Sequence, residues 1–565
     1  MRAALLSSFT LDPLSSIVGR RVERSAVEVS WYVAGFNQYA SLILDVRSDL
    51  YAFSPDLVFV AVAAEDLFQG LRRPWQEDPA ARSVEAERRI SELERLIRFL
   101  GEQLPHAKLF VHTFVVLEPQ PHPLLAYRTP ATLQSLAVRA NAMLYRVALE
   151  CENVVPLDLA GVVATGLPPA TDPRILYLAG MRLGREAMDA LASHYRRAIE
   201  ASLGRRKKCI VVDLDDTLWG GVLGEQGVDG LQLGPAGLGR AYHDVQEVLL
   251  GYRDTGILLA VCSKNDEDLA LSAMRAHPHM VLRPEHFAAL RINWSDKAQN
   301  IREIADELNI GIDSVVFVDD SAHERAWIRE ALPEVTVVEL PRDPVEYPGC
   351  LATLPHFDTL SLTVEDRRRP VMYAEERQRD ALRRASPSLA EFLAGLQIRV
   401  RVRRAALGLV PRLAQLSAKT NQFNLTARRY SEGQLSALLG DVGHRVYAVD
   451  VSDKLGDSGI VGMAVVVVDE SSHAATLDNF LLSCRVLGRG VESASLAGIL
   501  IDLKSSVTVR RVDGAFHPTK RNGIASDFLP RHGFEGQGAD WHRSLEDVES
   551  LCPAWIELIR DDSTS

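Results

Sequence analysis

Short apolar runs and amphipathic stretches alternate along the first two hundred residues of the chain. The runs at residues 57–62 and 109–116 are continuously apolar and rich in β-branched and aromatic side chains, which predicts buried strands. The charged stretch at residues 80–100 predicts an amphipathic helix, whose apolar face holds Ile90, Leu93, Leu96 and Ile97. A strand, a helix and a second strand in this order favour a parallel sheet covered by helices.

The alternation continues along the chain and predicts further strands at residues 210–213, 257–262, 315–318, 398–402, 461–468 and 477–482. The first three of these strands form a second α/β unit, and the last three belong to a third unit. A charged helical stretch separates the two units. We therefore expect an α/β multidomain protein with domains at residues 1–204, 205–345 and 389–565 and a helical linker at residues 346–388.

Composition narrows the classes of function. The chain has 565 residues, and at roughly 150 residues per domain this length fits three or four compact units. Lys+Arg 63 against Asp+Glu 75 gives a net charge of −12, the wrong sign for a general nucleic-acid binder. The six cysteines form no Cys-x-x-Cys pair, which indicates a reducing compartment instead of a disulfide framework or a zinc site.

The N-terminal residues and the hydropathy of the chain indicate the cellular compartment in which the protein is expected. The apolar run after Arg2 is interrupted by Ser7 and Ser8 and is too short for a signal peptide. No stretch reaches the roughly 20 apolar residues of a membrane span. We therefore expect a cytoplasmic protein without a membrane partner.

An acidic motif follows one of the predicted strands. Asp213 and Asp215 stand just past the apolar residues 210–212, where open α/β sheets place their active sites. Taken alone, the pair fits an acidic surface turn equally well.

Three later features favour the active-site interpretation. Ser263 follows the next predicted strand, and Lys297 opens a predicted helix. Asp319 and Asp320 close the strand at residues 315–318. In this order and on successive strand ends, these residues resemble the four motifs of the haloacid-dehalogenase (HAD) superfamily.

The HAD resemblance implies a role for each residue. Asp213 would be the nucleophile that forms an aspartyl-phosphate, and Asp215 would be the general acid and base. Ser263 and Lys297 would hold the phosphoryl oxygens. A cation must bridge carboxylate and phosphate because like charges repel, and the expected cofactor is Mg²⁺, with the ligands Asp213, Asp215, Asp319 and Asp320.

The third unit contains a glycine motif typical of acyl transfer. Arg485-x-x-Gly488-x-Gly490 resembles the pyrophosphate loop of GNAT-type acyltransferases, in which glycines let backbone N–H groups approach phosphate at a helix start. Asn522 begins a second segment that resembles the same fold. The resemblance implies that these four residues bind pantetheine. Leu529 replaces the tyrosine that serves many acetyltransferases as general acid, which puts ordinary acetyl transfer in doubt.

Two cysteines are candidate acyl carriers. Cys484 directly precedes the glycine loop, and Cys262 directly precedes Ser263. A buried strand cysteine without chemistry explains either one as well. No spacing identifies the base that would activate a thiol, although His517 is a candidate.

Taken together, the motifs resemble the FkbH-like family of polyketide biosynthesis, which joins a HAD subfamily IIIC phosphatase to a GNAT-like domain. The matching stretches are residues 213–227, 262–266, 294–301, 317–325, 419–430 and 480–492. The resemblance implies that the enzyme takes the glyceryl group of D-1,3-bisphosphoglycerate, removes the 3-phosphate and loads glycerate onto an acyl carrier protein. The first domain resembles an SGNH-hydrolase-like module, but it has no Gly-Asp-Ser turn and is expected to be non-catalytic.

Docking of an acidic carrier protein would need a local basic patch on this acidic chain. Basic residues of the third unit are candidates, and scattered solvated side chains explain them equally well: Arg401, Arg403, Arg404, Arg428, Arg429, Arg510, Arg511, Lys520 and Arg521.

Two rival functions remain open. A plain HAD phosphatase with a degenerate C-terminal domain predicts that Cys484 is dispensable. A non-enzymatic scaffold that docks carrier proteins would not need the intact set Asp213, Asp215, Lys297 and Asp320.

Overall fold

The computed structural model describes residues 1–23, 28–71, 78–164, 171–204, 206–362, 364–469, 471–505, 509–519, 521–537 and 540–560. Arg205, the predicted start of the second domain, and Lys520, from the predicted basic patch, lie outside these residues. The chain forms two compact units. One contains Met1–Arg206 with Asp358–Leu360, and the other contains Lys207–Phe357 with Ser361–Ser565.

The first unit is built on a five-stranded parallel sheet in the order β2-β1-β3-β4-β5. Its strands are β1 (Arg2–Ser7), β2 (Ser30–Val33), β3 (Leu57–Ala61), β4 (Lys108–His112) and β5 (Val154–Leu157). Its helices are α1 (Asp12–Glu23), α2 (Tyr39–Leu44), α3 (Asp49–Phe53), α4 (Ala64–Leu67), α5 (Pro79–Gln103), α6 (Pro123–Ala126), α7 (Leu133–Glu150), α8 (Leu159–Ala164), α9 (Pro173–Ala179) and α10 (Arg185–Ser202). Two hydrophobic cores, one on each face of the sheet, explain why its central strands are apolar throughout.

Strand β4 ends earlier than the apolar pattern predicts. The run at residues 109–116 predicts a longer strand, but the ladder with β5 stops at His112. Beyond His112, the Asn141 side chain makes the backbone hydrogen bonds that a neighbouring strand would otherwise make. It accepts from the Phe114 N–H at 2.7 Å and donates to the Phe114 carbonyl at 2.8 Å.

The second unit begins with another five-stranded parallel sheet, in the order β10-β9-β6-β7-β8. Its strands are β6 (Cys209–Val212), β7 (Leu258–Ser263), β8 (Ala289–Ile292), β9 (Val315–Val318) and β10 (Thr336–Val337). Its helices are α11 (Leu223–Gln226), α12 (Gly237–Asp254), α13 (Glu267–Ala276), α14 (Lys297–Glu307), α15 (Ala322–Ala331) and α16 (Tyr347–Ala352). Between β6 and α14, where every residue is described, the insertions are too short for a separate cap domain.

The linker starts later than the sequence predicts. Residues 347–357, assigned to the linker from their composition, pack their apolar side chains in the core of this parallel-sheet domain. The side chains concerned are Tyr347, Leu351, Leu354 and Phe357. The linker helix itself is α17 (Val364–Ala385), as its charged periodicity predicts.

The rest of the second unit is a mostly antiparallel sheet in the order β17-β18-β16-β15-β14-β13-β11-β19, with β12 paired to β15. Its strands are β11 (Ile398–Arg404), β12 (Phe423–Asn424), β13 (His444–Asp453), β14 (Gly456–Asp469), β15 (Ala474–Leu482), β16 (Arg511–Gly514), β17 (Glu535–Gln537), β18 (Asp540–Ser544) and β19 (Ile556–Arg560). Its helices are α18 (Leu389–Leu396), α19 (Val410–Lys419), α20 (Glu432–Leu439), α21 (Val491–Lys504) and α22 (Phe528–Arg531). The predicted α/β multidomain class is confirmed.

Candidate active site

The candidate phosphoryl site lies where three parallel strands end. In the sheet, Val212 of β6 is paired with Val261 of β7 and with Val318 of β9. Because neighbouring parallel strands end at the same edge, this register brings Asp213 and Asp319 together at the carboxyl edge. Both side chains are buried, with 8% of Asp213 and none of Asp319 exposed.

Lys297 joins these two carboxylates. Its Nζ lies 3.0 Å from Asp213 Oδ2 and 2.7 Å from Asp319 Oδ2. Asp296 caps helix α14 by accepting the Gln299 N–H at 3.0 Å, which fixes the first helical residue, Lys297, at this edge. Burial disfavours the charged amine, but the two carboxylates outweigh burial and raise the pKa of Lys297 above its ordinary value.

Three carboxylates form a cluster that fits a divalent cation. One oxygen from each of Asp213, Asp319 and Asp320 lies within 4.8 Å of the others. Asp213 Oδ1 is buried and has no hydrogen-bond partner among the described residues. Burial, followed by the neighbouring carboxylates, raises the pKa of Asp320 to about 6. A buried carboxylate oxygen without a hydrogen-bond donor, among carboxylates that repel one another, is the arrangement that a hard cation such as Mg²⁺ stabilises.

Asp215, predicted as a fourth metal ligand, has its carboxylate outside this cluster. Oδ1 accepts from Trp219 Nε1 at 2.8 Å and from the Leu223 N–H at 3.2 Å, and Oδ2 accepts from Asn265 Nδ2 at 3.0 Å. Burial is the largest of the effects that raise the pKa of Asp215. The side chain is therefore held as a candidate general acid, while its carboxylate is not one of the clustered ligands.

Sequence reasoning missed two residues that shape the site. Thr217 Oγ1 accepts from the Asp320 N–H at 3.2 Å. Arg325 donates to the carbonyls of Asp319 and Asp320, at 2.8 Å and 2.6 Å. Thr217 stands inside the acidic motif, where its position was a usable signal. Arg325 ends the matching stretch at residues 317–325, but its residue type does not indicate a role in the site, because an arginine on an amphipathic helix usually faces solvent.

The two candidate thiols have different surroundings. Cys262 is fully buried in β7, its Sγ lies 3.8 Å from the Lys297 carbonyl, and burial raises its pKa to about 12. Its neighbour Ser263 is also buried at the end of β7. Cys484 is half-buried in a short turn after β15. Because thiolate is the nucleophilic form, the raised pKa disfavours Cys262 as the acyl carrier.

The glycine loop has the predicted backbone shape. Gly488 and Gly490 both have positive φ, +76° and +86°, and helix α21 starts directly after Gly490. Arg485 donates to Ser483 Oγ at 3.3 Å and contacts Met372 Sδ at 3.3 Å. The arginine therefore braces the loop against helix α17.

Asn522 does not have the geometry expected of a pantetheine-binding residue. Its side chain is 1% exposed. Oδ1 accepts from the Thr519 N–H and hydroxyl at 2.7 Å and 2.9 Å, and Nδ2 donates to the Asn424 and His517 carbonyls, both at 2.9 Å. With these positions filled, Asn522 braces β12 and the loop before α22. The prediction that it binds pantetheine is not supported by the structure.

His517, the predicted candidate base, is exposed. A different histidine lies beside the glycine loop. His532 is 5% exposed, and its Nε2 lies 2.7 Å from the hydroxyl of Ser493 in the first turn of α21. No sequence pattern singled it out.

The carboxyl edge of the first unit carries an ionic network. Ser8 Oγ donates to Asp66 Oδ2 at 2.8 Å, and Arg182 bridges Asp66 and Glu118 at 2.5 Å and 2.6 Å. Arg182 is 8% exposed. The four side chains of this network are thus hydrogen-bonded or ion-paired to one another.

Fold and site together define a HAD-type phosphatase domain, followed by a mostly antiparallel C-terminal domain. The family described as FkbH, N-terminal domain, matches residues 9–199. The crystal structure of the N-terminal part of BF1531 from Bacteroides fragilis contains a phosphatase domain complexed with Mg. It is 30% identical, with a TM-score of 0.59, and the match covers 64% of this chain and 95% of that chain. The chain belongs to the FkbH-like family.

Further comparisons concern solved acetyltransferase structures and the curated proteins. Spermidine N-acetyltransferase SpeG from Vibrio cholerae is 12% identical over 26% of this chain and 95% of its own, with a TM-score of 0.22. A GNAT acetyltransferase from Streptococcus pneumoniae is 16% identical over 26% of this chain and 98% of its own, with a TM-score of 0.21. No curated protein matches the chain in sequence. Within the described ranges, no helix combines the length and the apolar content needed to span a bilayer.

Proposed function

We propose that this protein loads a glyceryl unit from D-1,3-bisphosphoglycerate onto an acyl carrier protein and removes the 3-phosphate. The observation that carries the proposal is the cluster of Asp213, Lys297 and Asp319 at the carboxyl edge of the parallel sheet, with Asp213 Oδ1 left unpartnered. A half-buried cysteine before a positive-φ glycine loop supports the transfer half. Membership of the FkbH-like family supports the combination.

The reaction begins with acyl transfer. The Cys484 thiolate attacks the acyl-phosphate carbonyl, the C–O bond to phosphate breaks, and inorganic phosphate leaves with the electron pair. The product is a 3-phosphoglyceryl thioester on the enzyme. Acyl phosphates are more activated than thioesters, so this step needs no ATP.

Dephosphorylation follows at Asp213. One carboxylate oxygen attacks the phosphorus of the 3-phosphate, and Asp215 protonates the departing glyceryl oxygen. The same Asp215 then accepts a proton from the water that hydrolyses the aspartyl-phosphate. Lys297 holds phosphoryl oxygens and balances their charge. Finally, the pantetheine thiol of the carrier attacks the enzyme thioester and releases Cys484.

Asp213, Asp319 and Asp320 would hold a Mg²⁺ ion, which neutralises the repulsion between carboxylate and phosphate when it is bound. Asp215 and Lys297 act beside these ligands. The loss of activity on chelation, and its return with Mg²⁺, would test this assignment directly.

The decisive experiment is intact-protein mass spectrometry of the full chain with Mg²⁺, freshly generated 1,3-bisphosphoglycerate and a holo acyl carrier protein. We expect a glyceryl adduct on the carrier. Cys484→Ala should abolish it, and Asp213→Asn should replace it with phosphoglyceryl species. Cys151→Ala, which alters another half-buried cysteine, is the matched control and should load the carrier normally.

The rival phosphatase function predicts a different pattern. Phosphate release from a three-carbon phosphate without any carrier adduct, unchanged in Cys484→Ala, would replace the loading function with plain phosphatase activity. If neither phosphate release nor a carrier adduct is seen with Mg²⁺ present, the non-enzymatic scaffold becomes the better hypothesis.

A further inference from the structure

The glycine loop before α21 has the shape of a phosphate-binding loop, but the chain itself occupies it. The Gly488 N–H donates to Glu492 Oε1 at 3.2 Å. Glu492 lies in the first turn of α21, where the helix dipole otherwise attracts an external anion. Its second carboxylate oxygen is buried and has no hydrogen-bond partner among the described residues. An internal negative charge therefore lies where a diphosphate would bind.

The arginines of the loop are also committed to internal partners. Arg489 forms an ion pair with Glu376 of helix α17, and Trp555 Nε1 donates to the Arg489 carbonyl at 3.0 Å. Arg485 is held by Ser483 and Met372. The cations that would offset the charge of a diphosphate are thus turned toward α17 and the turn after β15.

Two polar side chains beside the loop, His532 and Ser493, carry no charge when the imidazole is neutral. His532 Nδ1 lies 2.7 Å from the Phe528 carbonyl, which only accepts, so Nδ1 is the donor. Nε2 then accepts from the Ser493 hydroxyl at 2.7 Å. Burial lowers the pKa of His532 below its ordinary value. A neutral imidazole and a hydroxyl suit amide groups better than they suit phosphate.

We infer that Glu492 closes the diphosphate subsite of this loop, so that the C-terminal domain accepts the pantetheine arm of a carrier protein and rejects free coenzyme A. Coenzyme A brings a diphosphate and a 3′-phosphate, whereas a carrier-borne arm brings a single phosphodiester. An internal carboxylate therefore penalises the free cofactor far more than the carrier. The inference rests on the proposed function, since it names what the transfer half selects.

Binding of small probes to the full chain tests the inference without any turnover. Isothermal titration with coenzyme A and with pantetheine, both kept reduced, compares an arm with and without its phosphates. Glu492→Gln keeps an oxygen for the Gly488 N–H and removes the charge. Glu432→Gln is the matched control, because Glu432 is an exposed glutamate in the first turn of α20.

We expect the unaltered protein to bind coenzyme A no more tightly than pantetheine. Glu492→Gln should tighten coenzyme A binding roughly tenfold, the size of one charge removed at a helix start. Pantetheine binding, and all binding to Glu432→Gln, should stay the same. Tighter binding of coenzyme A than of pantetheine by the unaltered protein, or an unchanged affinity in Glu492→Gln, would overturn the inference while leaving carrier loading untouched. If no variant binds either probe, the inference fails together with the transfer half of the proposed function.

Discussion

At the scale of single residues, the phosphoryl site is a problem of charge balance. Asp213 and Asp319 lie in a buried environment, and among the described residues Lys297 is the cation that pairs with both of them. One cation cannot neutralise three carboxylates, and Asp320 adds the third. The site therefore has a net negative charge until a divalent cation or a protonation relieves it. Residues that fix the backbone of these aspartates then control how well a cation binds.

Arg325→Lys should weaken the apparent Mg²⁺ affinity by roughly tenfold or more, because it loses the paired hydrogen bonds to the Asp319 and Asp320 carbonyls. Phosphate release measured against Mg²⁺ concentration checks this prediction, and excess Mg²⁺ should restore most of the rate. Arg329→Lys on the same helix, whose guanidinium pairs with Glu339, serves as control. A lower rate with an unchanged Mg²⁺ dependence would show that Arg325 does not position these ligands.

The sequence pattern predicted the acidic residues of the site, but it did not predict the residues that hold them in place. Asp213, Lys297 and Asp319 stand at strand ends and at a helix start, and the sequence pattern locates those places. Arg325 reaches the site only because α15 packs so that its side chain is 6% exposed, which depends on tertiary packing. For Asn522, the sequence-based prediction failed in the opposite way. Its motif predicted a ligand contact, but its side chain is bonded to neighbouring backbone groups and to the Thr519 hydroxyl.

At the scale of elements, helix α17 connects the parallel sheet to the C-terminal domain. Tyr373 packs against the core of the phosphatase domain, while Met372 contacts Arg485 and Glu376 pairs with Arg489. Residue composition predicted a charged linker helix, but it did not predict that Glu376 would pair with Arg489 of the glycine loop. The helix thus behaves as a structural element of the C-terminal domain instead of a free connection.

Arg379→Met should destabilise the β13–β14 hairpin by about 3 kcal/mol, because it leaves the buried Asp453 carboxylate without its cationic partner. Arg379 Nε lies 2.7 Å from Asp453 Oδ2, with side chains 3% and 5% exposed. Hydrogen exchange of peptides from β13 and β14 should accelerate about a hundredfold. Arg368→Met removes an exposed pair from the same helix and should change exchange little. Equal effects from both substitutions would contradict this interpretation.

At the scale of the whole molecule, a buried histidine makes the stability of the first unit depend on pH. In the first unit, His112 is 1% exposed and bonds to the Tyr195 hydroxyl at 2.9 Å. Burial lowers the pKa of His112 to about 3. Below the ordinary histidine pKa, the unfolded chain therefore binds a proton at this position and the folded chain does not. The stability that neutral His112 contributes to the folded unit is complete above that pKa and is lost as the pH falls toward 3.

We expect the first unit to lose about 1 kcal/mol of stability for each pH unit between pH 6 and pH 4 through His112 alone. Hydrogen exchange of β4 and α10 peptides at several pH values, corrected for intrinsic exchange, measures this loss. His112→Gln should make the unit less sensitive to acid in that range, and the exposed His106→Gln should not. An identical pH dependence in all three proteins would rule His112 out as the cause.

The pairing of β11 with β19 has a consequence for how the chain is made. These two strands run parallel at one edge of the C-terminal sheet, with Ile398 opposite Ile556, yet one opens the domain and the other comes after all its remaining strands. During synthesis, β11 leaves the ribosome long before its edge partner exists. When β11 is made, all strands of the two parallel-sheet domains already exist, while β11 still lacks its partner β19 at the edge of the C-terminal sheet. The folding of this domain is therefore completed after that of the two parallel-sheet domains, and until β19 is made the unpaired edge of β11 can pair with other chains.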